Sequence, residues 1–161
     1  MTTTTWSSRR TAGSPYFSAG FWGVMVVILT TVHHAWGAYI YETPWRLDIV
    51  YVAVPVAAGF VALLVYAVRR EGLRAGRWSA WIAVLLIIGF CTLAIGVYEG
   101  GYNHLLKNIV YFSAGPVSWM FPDGATGIPD DIFFELTGVA QLVVGLVAGS
   151  AAWRLARTLR S

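Results

Sequence analysis

Apolar residues fill four long stretches of this chain, Phe17–Tyr41, Ile49–Val68, Ala80–Tyr98 and Ile132–Trp153. Within each, small and polar residues recur at steps of three or four, the helical period, so each set shares one helix face. The first row is Gly20, Gly23, Val27, Thr30, His34, Gly37 and Tyr41; the second is Asp48, Tyr51, Pro55, Gly59, Ala62 and Tyr66. The third is Leu85, Gly89, Thr92, Gly96, Glu99 and Asn103, and the fourth Asp131, Glu135, Gly138, Leu142, Gly145 and Gly149. Every row carries its ionisable or metal-binding side chain toward the same end. Small faces let helices pack closely in lipid, and a charge in lipid is costly enough to need a reason. The pattern predicts an all-α integral membrane protein, an antiparallel four-transmembrane-helix bundle with a polar site near one surface.

Length agrees with this reading. A transmembrane helix needs about 20 mostly apolar residues to cross a core of about 30 Å. Helices are expected at about 17–41, 48–70, 78–100 and 131–156, within one membrane domain over 15–161 that follows a disordered tail over 1–14. Between the third and fourth helices an outer loop is expected over 102–130. Tyr102–Phe112 keeps a helical rhythm there, with Leu105, Leu106, Ile109 and Phe112 opposed by Asn103, Lys107 and Asn108. It either extends the third helix or lies along the interface as a short helix. Ser113–Pro129 is rich in glycine and proline and is read as an irregular cap.

Composition closes off the soluble alternative. The chain is 57% hydrophobic and 12% charged over 161 residues, with mean hydropathy +0.63, and is too short to cover four such helices with other elements. The net charge of +3 would elsewhere suggest nucleic acid, but its distribution excludes that partner in favour of a lipid bilayer. Arg9 and Arg10 precede the first stretch, Arg69, Arg70, Arg74 and Arg77 join the second to the third, and Arg154, Arg157 and Arg160 follow the fourth. These are nine of the eleven basic residues, so the positive-inside rule puts both termini in the cytoplasm of a multi-pass cell-membrane protein. The acidic residues gather on the opposite side, with Glu71 the exception. Arg9-Arg10 before an apolar stretch resembles a twin-arginine signal, but the stretch is too long and ends in two histidines, so cleavage is not expected. Cys91, the single cysteine, excludes an intrachain disulfide and a thiolate metal cage.

The candidate chemistry follows from what lies near the acidic side. His34, Glu99, His104 and Glu135 are the expected metal ligands, with Glu99 and Glu135 also the candidate catalytic carboxylates. His34 is about 10 Å below its helix end by helical rise, and Glu135 lies one turn beyond Asp131. His33 diverges from His34 by about 100° and is expected to turn toward bulkier neighbours, leaving His34 as the favoured ligand. Asp131 and Asp48 are supporting ligands, Asp130 a helix cap, and Tyr98, Asn103 and Gln141 donors around a cofactor. The bland alternative is that the histidines bond neighbouring helices and the carboxylates pair with Arg46 or Lys107. Imidazole and carboxylate without thiolate suit copper, zinc or non-haem iron. Paired Glu-x-x-His motifs of di-iron bundles are missing, and haem would need His34 with a loop-borne His104 as a poor axial pair. No phosphate loop, dinucleotide fingerprint or nucleophile elbow occurs.

Three function classes stand on these residues. The first is a metal-dependent or redox-linked membrane protein, an oxidoreductase in its enzymatic form, acting on an amphiphilic substrate or on the metal itself. The second is a proton or cation transporter, and the third an accessory subunit of a larger membrane complex. The small-residue pairs Gly96/Gly100 and Gly145/Gly149 would equally serve a homo-oligomer or a partner helix.

Overall fold

A computed structural model describes residues 14–120 and 128–160, and among these the chain is helical with no strands. The expected tail, and the centre of the expected cap with Asp123, lie outside the described residues. We label the helices α1 (Pro15–Ile40), α2 (Asp48–Arg69), α3 (Arg74–Ala114) and α4 (Ile132–Arg160). A single 3₁₀ turn, Pro44–Leu47, leads into α2. Pro15 opens α1 where a missing N–H costs nothing, and Asp131 caps α4 by accepting from the Phe134 amide at 2.6 Å. All four helices are long and apolar enough to cross a membrane, as expected of a multi-pass membrane protein. Tyr102–Phe112 continues α3.

The faces used for packing differ from the sequence rows in two helices. The row on α1 is buried from Gly23 to Gly37 as expected, but α2 turns Tyr51, Pro55, Ala62 and Tyr66 outward. It packs instead through Ala53, Phe60, Leu64 and Ala67. The reason lies on α1: the Phe60 ring fills the space a side chain would take at Gly23, and Leu64 does so at Gly20. A glycine face accepts large knobs, so only one helix of the pair needs small residues.

In α3 the correction comes from winding. Residues Ile87–Leu106 form a π-helix, closed by i→i+5 bonds, between α-helical turns on either side. Residues four and five apart then share a face. The buried row becomes Ile87, Cys91, Ile95 or Gly96, Gly100 and His104, while Leu85 and Gly89 face outward. This row meets the predicted row of α4 nearly backbone to backbone. A side chain at Gly100 would strike the Leu142 main chain, Gly96 sits against Gly145, and Gly149 sits against Thr92. The Thr92 hydroxyl donates to the Gly145 carbonyl at 3.1 Å.

Candidate metal centre

Three helices deliver the polar groups to one level, near the end where α1 joins α2. α1 brings His33 and His34, both buried, because it is embraced by α2, α3 and α4 and its inward sector is wide enough for two adjacent residues. This corrects the expectation that only His34 turns inward. α3 brings Glu99 and His104, five residues apart; the π winding puts them in adjacent turns of one face, where an α-helix would separate them. His104 is therefore helical and almost fully buried, not loop-borne. Its ring lies in the space left by Gly138 of α4, where any side chain would overlap it.

Glu99 is the hub. Its Oε1 lies 3.7 Å from His33 Nε2, 3.9 Å from His34 Nε2 and 3.6 Å from His104 Nε2. Its other oxygen accepts from Asn103 Nδ2 at 2.7 Å, which fixes the carboxylate plane. Candidate ligand atoms of His33, Glu99 and His104 all lie within 4.8 Å of one another. Ligands of one tetrahedral ion at about 2.0–2.2 Å stand about 3.4 Å apart, and the 3.7 and 3.6 Å from Glu99 Oε1 to His33 and His104 come close to that spacing.

The outer ring nitrogens of His33 and His104 each have a partner of their own. Thr137 gives its hydroxyl proton to the main-chain oxygens of Phe133 or Phe134 at 2.8 and 3.0 Å. Its oxygen stands 3.0 Å from His33 Nδ1 and accepts when that nitrogen carries the ring proton. His104 Nδ1 donates to Glu135 Oε2 at 2.8 Å, so its proton sits there as well. With the ring protons on Nδ1, each Nε2 turns a lone pair toward the Glu99 carboxylate. A metal cation or a proton between them would satisfy both sets of acceptors. Fixing the tautomer through the far nitrogen is how metal-bound imidazoles are held.

Glu135 itself is spoken for. Its second oxygen accepts from Lys107 Nζ, and both side chains are buried. It thus supports His104 and is not placed among the facing lone pairs. Asp131 is used as the α4 cap and also accepts from Trp36 Nε1 at 3.0 Å, while Asp130 accepts from Tyr41 at 2.7 Å. Burial first, and that bond second, raise the pKa of the Tyr41 hydroxyl above its ordinary range, keeping it a donor. Asp48 is exposed at the start of α2, and Tyr98 is exposed and stacked on Tyr102 at 5.8 Å, so neither joins the cluster. Gln141 is fully buried beneath it, with neither polar atom bonded.

Several contributors are not legible as site residues in the sequence. Thr137 reads as one more small helical residue, and Phe134, stacked on His33 at 4.1 Å, as membrane-facing bulk. Arg46 is buried with its guanidinium 5.0–5.4 Å from the ring centres of Trp45, Phe134 and Tyr41, roofing the cluster. Its isolation among basic residues was the available signal. The Glu99 side chain retains 17% exposure, which leaves the cluster an approach from outside the bundle. No family model, curated protein or solved structure matches this chain.

Proposed function

We propose that the protein is a small multi-pass membrane protein that holds one transition-metal ion between His33, Glu99 and His104, with His34 beside them. The observation that carries this reading is the convergence of three imidazole Nε2 atoms on the Glu99 carboxylate. The donor set, nitrogen and oxygen without sulfur, suits copper, zinc or iron. Asn103, Thr137 and the Glu135–Lys107 pair orient the ligands, and Lys107 offsets the charge of Glu135.

Sidedness follows from the arginines. With nine of eleven basic residues at the termini and the α2–α3 connection, both termini are cytoplasmic, the helices alternate in direction, and the site lies within the outer leaflet of the cell membrane. Its substrate is then an amphiphile reaching that depth, for redox chemistry, or the metal itself.

Metal analysis of the purified protein tests this. Wild type should carry one ion per chain after loading, and His33→Ala, Glu99→Gln and His104→Ala should each lose at least about tenfold in affinity, since loss even of a group that only orients a ligand costs about 10–100-fold. Asp48→Asn should bind as wild type. Absence of bound copper, zinc and iron under varied loading would overturn the assignment.

A proton site is the second reading, favoured by one observation: His104 lies between two carboxylates, Glu99 and Glu135. A proton on its Nε2 would also separate the facing lone pairs. Among the described residues, however, no buried carboxylate, imidazole or amine lies on the far side of the cluster; Thr30, Thr92 and Gln141 are the buried polar groups there. Proton flux in proteoliposomes, abolished by Glu99→Gln, would favour this reading over metal retention.

A further inference from the structure

Below the metal cluster, toward the middle of the bilayer, a second group of polar atoms lacks partners. Gln141 and Thr30 are fully buried, yet both polar atoms of the Gln141 amide and the Thr30 hydroxyl are unbonded. The same holds for both ring nitrogens of His34, which is almost fully buried. Register places these residues together. Gly37 packs on Phe134 and His33 bonds Thr137; one further step along each helix pairs Thr30 with Gln141. Thr30 lies one turn from His34 on the same face of α1. At this level α3 contributes Gly96 and Gly100, which have no side chain to answer the amide. Farther along the bundle come Val26, Val27, Ile95 and Ala148, all buried and apolar. The polar group is therefore closed on its inner side and opens only toward the cluster.

We propose that Thr30, Gln141 and His34 form a binding site for a water molecule on the inner side of the metal centre. Each of the three can present both a donor and an acceptor, which matches a neutral ligand that does both. An anion would find no fixed cation here, and a metal would find one imidazole, one amide carbonyl and one hydroxyl, with no carboxylate among the three. All three residues are buried, so only a small molecule could lie among them, and buried waters bind where two to four otherwise unpaired polar groups converge. One helical turn, about 5.4 Å, is close to the span of one water between two hydrogen-bond partners. If the metal assignment holds, on which this role rests, the water occupies the coordination position that three protein ligands leave open. That would make the centre one whose substrate enters by ligand exchange, and not a closed structural site.

Gln141 is the only glutamine in the chain, so ¹⁵N-glutamine labelling yields one side-chain amide signal. Magnetisation transfer from water protons to that amide, measured by solid-state NMR on the full-length protein in lipid bilayers, reads the site without any metal. Transfer should be seen despite the mid-membrane position. It should fall at least twofold in Thr30→Val and persist in Thr30→Ser. Absence of transfer in wild type, or equal transfer in all three, would overturn the proposal. The measurement made after chelation and after zinc loading separates the two ideas. A water signal without zinc binding would sink the metal reading alone, whereas zinc binding with a dry amide would sink this one.

Discussion

Lys107 and Glu135 show how much of this site depends on groups that never face the ligand position. Both are buried, and each satisfies a charge that lipid or protein interior would otherwise leave bare. Removing one partner of such a pair costs about 3–5 kcal/mol, because the survivor stays buried and uncompensated. Lys107→Met should therefore lower stability by about that much, and Lys107→Met with Glu135→Gln should recover part of the loss. Unfolding in mixed detergent would measure both. Equal stability of the two variants would show that the pair is not coupled. Among the residues singled out by type, Glu99 and His104 meet while Asp48 and Tyr98 stand apart. The sequence marked all four by chemistry alone, and chemistry carries no information about azimuth.

At the scale of elements, α3 is decisive. An α-helical reading of residues 85–103 puts Glu99 and Asn103 on one face and leaves His104 off it. The π winding keeps the Glu99–Asn103 contact and adds His104, at the same time turning Gly100 against the α4 backbone. Glycine is needed there because the Leu142 amide and the Gly138 carbonyl occupy the space of a side chain. Gly100→Ala should destabilise the bundle by about 1–3 kcal/mol, the range for overpacking, and should lower metal affinity by displacing His104. Gly89→Ala, with open space around it, should do neither. Parallel unfolding and metal-binding measurements on the two variants check this. Similar behaviour of both would argue against the winding described here.

For the whole molecule, the asymmetric charge makes an orientation prediction. Cys91 is buried, so a wild-type background is silent to a membrane-impermeant thiol reagent. Glu42→Cys, between α1 and α2, should be labelled from outside intact cells, and Glu71→Cys, between α2 and α3, only after the membrane is opened. The reverse pattern would move the His/Glu cluster to the cytoplasmic leaflet.

The existence and approximate extent of four lipid-length helices came from the sequence alone, because transfer of a segment into hydrocarbon is a sum over its own residues. The small-residue rows of α1 and α4 were legible for a related reason: in a regular α-helix, spacing and face are the same statement. Tertiary structure decided the rest. Whether His33 or His34 reaches the centre depends on how many neighbours surround α1, and the outward turn of α2 depends on Phe60 finding Gly23. The meeting of Glu99 with His104 depends on a change of helical period that close packing against α4 selects. The contacts that orient the His33 and His104 rings depend on Thr137 and Glu135, which approach the imidazoles only once separate helices have packed together.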